Sequence, residues 1–260
     1  MNLLVDIGNT RLKWGVATDS QITAGRSFVN DRLKRHELID AWKDITPPKR
    51  LAVSCVSAKQ LFELVQSVAL ELWSSVEIVP VKSQAQAFGV INAYQQPEKL
   101  GVDRWLSLVA VRHQYRGAAC VVDCGTAITV DVIDADGHHL GGLISPGLSL
   151  MKKSLVEGTE ALQFSETKYP HGRIGSLPIA TLPPFLVVGL ADYTEAAIYS
   201  GTLSAAIGLI EHVLSKQPKN TQLILTGGDA ELIAEQLAFT PIIDPDLVLR
   251  GLLVILEGRA

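Results

Sequence analysis

One short pattern occurs twice in the sequence, and this duplication constrains the fold more than any other feature. An apolar run ends in Asp-x-Gly, closely followed by a hydroxyl residue, at residues 6–10 and again at 123–126, where Asp123 lies 117 positions after Asp6. A strand, a tight Asp-x-Gly turn and a second strand can bring backbone N–H groups and one carboxylate to a polyphosphate. A repeat at this spacing is too long for a solenoid, so it predicts two half-chains of similar fold that face each other.

The segments around each copy support the duplication, because each half opens with three strand-like segments joined by short polar turns. The predicted strands are 3–6, 12–17 and 22–28 in the first half, and 118–123, 128–133 and 139–144 in the second. In the first half a helix, a strand, a helix and a strand follow at 31–42, 50–56, 59–73 and 76–81, and then a loop at 85–94. We therefore predict an α/β protein of two subdomains, residues 1–117 and 118–260, each a mixed β-sheet flanked by helices.

The composition places the chain among folded globular proteins. Hydrophobic residues make up 47% and charged residues 19% of the 260 positions, well away from the range of disordered sequences. The net charge is −4 without a basic cluster, so we do not expect nucleic acid as a partner. The first residues lack a signal-peptide pattern and no uninterrupted apolar run approaches the ~20 residues of a membrane helix, so we expect a cytoplasmic protein without membrane contact. In that compartment Cys55, Cys120 and Cys124 are expected to be reduced and buried.

Asp103 and Arg104 form a candidate site near the start of a predicted helix, behind Pro97 and Gly101. Asp103 has a structural alternative, because an acidic residue at this place accepts hydrogen bonds from free N–H groups and suits the helix dipole. Arg104 could clamp a carboxylate or a phosphate through its guanidinium, or it could be an ordinary solvated surface residue. The residues by themselves leave both alternatives open.

Two glycine-rich segments of the second half are further candidates. Residues 141–147, Gly-Gly-Leu-Ile-Ser-Pro-Gly, either let a ligand approach the backbone or simply turn the chain from a strand to a helix predicted at 148–161. Gly227 and Gly228 follow a predicted strand at 222–225 and precede a helix. A flat group or a phosphate could rest against the backbone there, and a common tight turn is the alternative.

The remaining segments of the second half point to partner contacts. Residues 165–188 are rich in proline and glycine, which predicts a long irregular segment. Residues 192–214 form the longest predicted helix, in which Gly201, Ala205 and Gly208 make a stripe of small residues. Another helix could approach this stripe closely, either from the same chain or from a partner. Residues 247–256 are predicted to form a core or interface helix.

Five motifs follow one another along essentially the whole chain. They are Asp-Ile-Gly-Asn-Thr at 6–10, Leu-Gly-Val-Asp-Arg at 100–104, Asp-Cys-Gly-Thr-Ala-Ile-Thr at 123–129, the glycine-rich segment at 141–147 and Gly-Gly-Asp-Ala at 227–230. In this order they closely resemble the type III pantothenate kinase family. Single motifs of this kind occur widely in the actin-like and sugar-kinase superfamily, but Leu-Gly-x-Asp-Arg is particular to this family. The resemblance implies two ribonuclease-H-like (actin-like ATPase) subdomains from an internal duplication. It also implies phosphorylation of pantothenate by ATP to 4'-phosphopantothenate, the first step of coenzyme A biosynthesis.

The resemblance further implies a role for each motif. ATP would be bound by two phosphate loops and the glycine pair, at Asp6, Ile7, Gly8, Asn9, Thr10, Arg11, Leu12, Lys13, Thr126, Gly227 and Gly228. Asp6 would hold Mg²⁺, and Asp123 would hold the monovalent cation, K⁺ or NH₄⁺, that the family requires. Asp103 would be the general base. Pantothenate would be held by Tyr94, Gly101, Val102, Asp103, Arg104 and Thr194.

Thr194 is implied to act across the interface of a homodimer, although Tyr193 stands where the family often has Asn. Two alternatives to this function remain open. The first is a kinase of the same superfamily that acts on another small hydroxyl substrate. The second is a non-enzymatic regulatory accessory protein, which would have no need for Asp6, Asp103 and Asp123 together, yet the chain retains all three.

Overall fold

The computed structural model describes residues 1–56, 59–158, 189–192 and 194–258, and the segment predicted to be irregular at 165–188 lies outside them. The chain divides into two compact units. Unit 1 comprises Met1–Arg116, Ile133–Gly141 and Asp246–Ala260, and unit 2 comprises Gly117–Val132 and Gly142–Pro245.

Both units combine short strands with helices. The strands are β1 Asn2–Ile7, β2 Arg11–Thr18, β3 Gln21–Ala24, β4 Phe28–Val29, β5 Arg50–Cys55, β6 Glu77–Pro80, β7 Gln86–Ala87, β8 Val90–Ile91, β9 Ala119–Cys124, β10 Ala127–Ile133, β11 His139–Pro146, β12 Gln222–Thr226 and β13 Ile242–Ile243. The α-helices are α1 Arg35–Trp42, α2 Lys59–Leu72, α3 Val102–Gln114, α4 Leu148–Glu157, α5 Thr194–Ser215, α6 Ala230–Ala234 and α7 Leu247–Glu257. Turns of 3₁₀-helix occupy Asn30–Arg32 and Pro97–Lys99.

The main sheet of unit 1 has the strand order β3-β2-β1-β5-β6, with β4 paired to β2 outside this path. The central strand β1 pairs antiparallel with β2 and parallel with β5. Its residues Leu3, Leu4 and Val5 are fully buried, because a central strand covered on both faces must be apolar on both. The predicted mixed sheet, which opens with hairpin strands, is therefore confirmed in this unit.

The sheet of unit 2 repeats this plan in the order β11-β10-β9-β12-β13. As in the first sheet, the third, second and first strands of the half-chain lie side by side, and two parallel strands follow. Asp6 is the penultimate residue of β1, and Asp123 is the penultimate residue of β9. The two acidic residues therefore occupy equivalent places, which confirms the duplication inferred from the repeated pattern.

The two faces of β1 pack against different helices, because successive side chains of a strand point to opposite sides. The odd-numbered residues of β1 share a core with α1 and α2. Leu4 packs instead with Val102 at the start of α3 and with Leu249 of α7. By the same alternation Asp6 lies on the face of the sheet that α3 covers.

The predicted division into residues 1–117 and 118–260 needs correction in two segments. The first boundary falls between Arg116 and Gly117, close to the predicted place. Ile133–Gly141 and Asp246–Ala260, however, group with unit 1 although they follow that boundary. The chain therefore returns to unit 1 twice, and neither return carries a marker in the local sequence.

The packing of α7 explains the second return. Leu249 and Leu252 are buried in the same cluster as Leu4 and Leu106. Gly251 allows the close approach of the two helices, because a Cβ there would lie 2.7 Å from the carbonyl carbon of Leu106. The sequence predicted a core or interface helix at 247–256, and the structure shows a core helix.

Three local predictions also need correction. Residues 85–94, predicted as a loop, contain the hairpin β7-β8, whose turn has positive φ angles at Phe88 and Gly89. The strand predicted at 22–28 is divided into β3 and β4, because Gly25 packs directly against the ring of Trp14. The helix predicted at 31–42 begins at Arg35, after a turn of 3₁₀-helix.

Helix α5 is long and apolar enough to cross a membrane by length and composition, although polar residues interrupt its apolar run. Leu203, Ala206 and Ile210 of this helix are buried in the core of unit 2 together with residues of β9 and β12. The same length and composition are typical of a buried core helix.

Candidate active site

The first candidate loop follows Asp6, which is 8% exposed at the end of β1. The turn is closed by the N–H of Gly8, which donates to the carbonyl oxygen of Arg11 at 3.0 Å. Asn9 and Thr10 at its tip are exposed. The loop therefore presents exposed backbone beside one carboxylate, the combination that suits a polyphosphate.

The residues predicted for this loop do not all offer their side chains to a ligand. Ile7 and Leu12 are fully buried, so these two can contribute only backbone atoms. Lys13 is half-buried and lies opposite Asp6 in the register of β1 and β2. Arg11 is exposed. The loop can thus combine one carboxylate and two cationic side chains with its backbone N–H groups.

The second candidate group lies at the start of α3, where Asp103 occupies the first turn. Its Oδ1 accepts a hydrogen bond of 2.8 Å from the N–H of Arg104. Gly101 precedes the helix, and a Cβ there would lie 2.6 Å from this Oδ1. Glycine is therefore needed to leave the carboxylate in place. Asp103 satisfies one N–H at the helix start, as the structural alternative predicted, and it also remains half-buried beside Arg104.

Arg104 is only 6% exposed, so the alternative of a solvated surface arginine does not hold. Its Nη1 donates to the hydroxyl oxygen of Tyr94 at 2.8 Å, and its guanidinium lies 5.6 Å from the centre of that ring. The other side of Tyr94 stacks on His139, with 6.1 Å between ring centres. These contacts fix a buried cation in one orientation, which suits recognition of a carboxylate.

The second candidate loop is assembled from three glycine-containing segments of unit 2. The N–H of Gly147 donates to the carbonyl oxygen of Thr126 at 2.9 Å. A Cβ at Gly147 would lie 2.6 Å from that oxygen and closer still to the carbonyl oxygen of Gly125. Gly227 has a φ of +95°, and a Cβ there would lie 2.5 Å from Oδ1 of Asp123. A simple chain turn does not require glycine at positions that pack against the second loop. Close packing against this loop is therefore the better explanation of Gly147 and Gly227.

Two oxygen atoms lie close to Gly227, one from Asp123 and one from the main chain of Cys124. A Cβ placed on Gly227 would lie 2.5 Å from Oδ1 of Asp123 and 2.6 Å from the carbonyl oxygen of Cys124. Asp123 is half-buried, and its strand neighbour in β12 is Thr226. Carboxylate and carbonyl oxygens are the donors that hard cations take in proteins. Oxygen donors of this kind fit a hard cation.

Two predicted residues stand apart from these groups. Gly228 is exposed, and no atom lies within 4 Å of the place of its Cβ, so the turn between β12 and α6 leaves room for a flat group. Thr194 is exposed as the first residue of α5, and the preceding Tyr193 lies outside the described residues. The structure thus gathers Tyr94, Gly101 and the Asp-Arg pair in unit 1, and Asp123, Thr126 and Gly227 in unit 2.

The cysteines near the second loop are core residues. Burial raises the pKa of the Cys124 thiol far above its usual range, and the carboxylates of Asp123 and Asp229 raise it further. Burial likewise raises the pKa of Cys120 to about 12. Both thiols are protonated at neutral pH and cannot serve as nucleophiles. The prediction of reduced, buried cysteines is confirmed for these two, whereas Cys55 is reduced but only half-buried.

The sequence did not single out two buried residues that support these groups. Asn30 is 9% exposed, and its Nδ2 donates to the carbonyl oxygen of Gly8 at 2.8 Å. His139 supports Tyr94 as described above. Neither residue belongs to a motif, and a lone Asn before a helix is usually a cap. Only contacts between distant parts of the chain reveal them.

An acidic turn elsewhere in unit 1 has an explanation without a ligand. Asp134, Asp136 and His138 are, within the described ranges, the one group of acidic and histidine side chains with the spacing of metal ligands. Oδ1 of Asp134, however, accepts hydrogen bonds from the N–H groups of Asp136 and His138 at 2.9 and 2.8 Å. The turn is thus held together by its own backbone.

Comparison with known proteins gives one family. The sequence profile of the type III pantothenate kinase family matches residues 2–216. A type III pantothenate kinase from Nitrosococcus oceani is 38% identical over 269 residues, which cover 97% of this chain and 92% of the relative.

Solved structures of similar fold extend over nearly the whole chain. A conserved protein from Campylobacter jejuni, assigned to the Baf family of transcriptional activators, has a TM-score of 0.57 at 21% identity, covering 98% of this chain and 97% of the other. The activator of the 2-hydroxyisocaproyl-CoA dehydratase from Clostridium difficile with bound ADPNP has a TM-score of 0.53 at 13% identity, covering 99% and 95%. At these identities the likeness shows the fold alone, and it confirms the predicted actin-like architecture.

Proposed function

The chain belongs to the type III pantothenate kinase family and is a kinase that phosphorylates pantothenate with ATP, and on this premise we propose how its residues carry out the reaction. The product is 4'-phosphopantothenate, and the reaction is the first step of coenzyme A biosynthesis. The observation that carries this conclusion is the family match over residues 2–216.

Pantothenate is held at the start of α3 by Tyr94, Gly101, Val102 and Arg104. Support comes from the buried guanidinium of Arg104, which is oriented by its hydrogen bond to Tyr94. Pantothenate carries a carboxylate, and a fixed guanidinium binds a carboxylate through two parallel hydrogen bonds. The side chain of Val102 is buried in the core, so this residue contributes main-chain atoms.

Asp103 is the general base. It takes the proton of the primary hydroxyl of pantothenate as that oxygen attacks the γ-phosphorus of ATP. The new oxygen–phosphorus bond forms while the bond to the β–γ bridging oxygen breaks, and ADP leaves with the electron pair. The position of Asp103 next to Arg104, which holds the acceptor, supports this role.

ATP is bound by residues 6–13, by Thr126 and by the glycine pair Gly227 and Gly228. Asp6 would hold Mg²⁺, because this ion prefers carboxylate and phosphate oxygens. When bound, the ion neutralises charge on the phosphates. Exposed loop backbone beside Asp6 and the open space at Gly228 support these assignments.

Asp123 holds K⁺ or NH₄⁺, an assignment supported by its Oδ1 and the carbonyl oxygen of Cys124, which lie together beside Gly227. We expect activity in buffers that contain K⁺ or NH₄⁺ and its loss in buffers that contain only Na⁺ or Tris. Asp123→Asn should raise the K⁺ concentration that gives half-maximal activity. Full activity without either ion would contradict the role of Asp123.

The enzyme acts as a homodimer, with α5 in the interface. Gly201, Ala205 and Gly208 are exposed on α5, and the two glycines have open space at their Cβ positions, as a contact with another helix requires. Thr194 on the same helix contacts pantothenate across this interface. Light scattering should give a dimer for the wild type and a monomer for Gly201→Arg. A monomeric wild type would contradict the proposal.

One assay tests the function as a whole. ADP formation from ATP in K⁺ buffer should require pantothenate. Preference for a sugar or another hydroxyl compound in an acceptor screen would favour another kinase of the superfamily. Absence of ADP formation with any acceptor would favour a regulatory role. The likeness to the Baf-family protein does not support that role, because it shows only the fold.

Use of ATP supports a cytoplasmic location.

A further inference from the structure

Asn30 connects the start of the 3₁₀ turn Asn30–Arg32 to the first phosphate loop. Its backbone N–H donates to the carbonyl oxygen of Thr10 at 2.9 Å. Its side-chain Nδ2 donates to the carbonyl oxygen of Gly8 at 2.8 Å. One buried residue thus holds the two carbonyl groups on either side of Asn9.

The direction of the side-chain amide follows from its partner. The carbonyl oxygen of Gly8 can only accept, so the amide must turn its Nδ2, and not its Oδ1, towards the loop. Oδ1 is then buried and accepts no hydrogen bond within the described part of the chain. A buried acceptor without a donor disfavours an amide relative to an apolar residue. The bond to Gly8 is therefore the contact that favours asparagine at position 30.

The two bonds also determine where the N–H groups of the loop point. In a trans peptide the C=O of one residue and the N–H of the next point in opposite directions, and the described residues contain no cis peptide. Because the carbonyl of Gly8 points to Asn30, the N–H of Asn9 points away from Asn30. The N–H of Arg11 is turned away in the same manner by the carbonyl of Thr10. N–H groups directed together out of a turn form an anion-binding site.

We propose that Asn30 is a positioning residue of the first phosphate loop, which aims the N–H groups of Asn9 and Arg11 at the nucleotide phosphates. The inference rests on the proposed function, because it takes these phosphates to be those of ATP. Asn30 does not touch the acceptor site. Its loss should therefore affect the nucleotide and leave pantothenate binding unchanged.

The test replaces the side chain and measures nucleotide binding directly. Asn30→Leu keeps the backbone bond to Thr10 and removes Nδ2, so the Kd for MgADP and the KM for ATP should rise about five- to tenfold, as the loss of one hydrogen bond gives. The KM for pantothenate should not change. Asn30→Asp is nearly isosteric and turns an acceptor towards the carbonyl of Gly8. It should weaken MgADP binding at least as much, and it serves as the test if the leucine variant does not fold.

Val68→Ala is the matched control, because Val68 is fully buried in the core below the same sheet and away from the loop. It should lower Tm and leave the Kd for MgADP unchanged. If Asn30→Leu lowers Tm but binds MgADP within about twofold of the wild type, the residue is only structural and the inference is overturned. If the wild type itself does not bind MgADP, the proposed function fails. If the wild type binds MgADP but does not use pantothenate, only the proposed acceptor is wrong. The comparison of MgADP binding between Asn30→Leu and the wild type then still tests the role of Asn30.

Discussion

Replacing Asp103 with asparagine removes the proposed base and leaves the local structure almost unchanged. Asparagine keeps an Oδ1 that can accept the 2.8 Å hydrogen bond from the N–H of Arg104. It also has the same shape, so the close approach to Gly101 is retained. The loss of the negative charge at the start of α3 lowers the free energy of unfolding by about 0.3–1 kcal/mol, because this charge interacts with the helix dipole. For a chain of this size Tm should fall by no more than about 4 °C.

The loss of rate should be far larger than the loss of stability. A general base contributes about 10²–10⁴-fold, so kcat should fall at least about 100-fold, which equals about 2.7 kcal/mol of transition-state stabilisation. Coupled ADP release at saturating ATP and pantothenate measures kcat, and a thermal scan measures Tm.

Glu37→Gln provides a matched control for this substitution. Glu37 lies in the first turn of α1, and its Oε2 accepts a 2.9 Å hydrogen bond from the N–H of Lys34. The control loses the same charge at a helix start and should keep a normal kcat. A kcat for Asp103→Asn within about threefold of the wild type would refute the assignment of the base.

Two further substitutions and one thiol titration test other parts of the structure. Tyr94→Phe removes the hydroxyl that orients the buried Arg104. The KM for pantothenate should therefore rise about tenfold, and the KM for ATP should not change. An equal rise of the two KM values would argue against an acceptor site beside Arg104. Gly147→Ala places a methyl group against the carbonyl of Gly125. Tm should therefore fall by the equivalent of about 1–3 kcal/mol, and the KM for ATP should rise; an unchanged Tm would contradict the close packing of this residue. In a thiol titration of the native protein at pH 8, Cys55 alone should react. Burial raises the pKa of Cys120 to about 12 and that of Cys124 far above its usual range, so both thiols stay protonated at this pH while the protein is folded. Reaction of all three cysteines without denaturant would contradict this burial.

The elements that the sequence predicted correctly are those with a strong local pattern. β1 and β9 are apolar runs whose penultimate residue is acidic, and the turn after each one restricts the chain within a few positions. Helix α2 was found by its apolar positions at helical spacing. Such signals depend on neighbours along the chain, so they survive in any tertiary context.

The misassigned elements depend on distant contacts. The strand at 22–28 breaks because Gly25 meets the ring of Trp14, and hairpin β7-β8 is stabilised by α3, where Nε of Arg112 donates to the carbonyl oxygen of Gly89 at 3.1 Å. α7 joins unit 1 because its apolar face fits α3 and β1. A run of leucines predicts that a helix is buried, but it does not identify the elements that bury it.

The sequence by itself determined the two Asp-x-Gly turns, the duplicated α/β plan and the family, because each of these is carried by residues within a few positions of one another. Only the tertiary structure decided that Arg104 is buried on Tyr94, that Asn30 holds the first loop and that Gly147 supports the second. Each of these contacts joins residues from separate elements, and their distance depends on strand register and helix packing. These quantities are determined by the whole core, so the spacing of residues along the chain could not predict them.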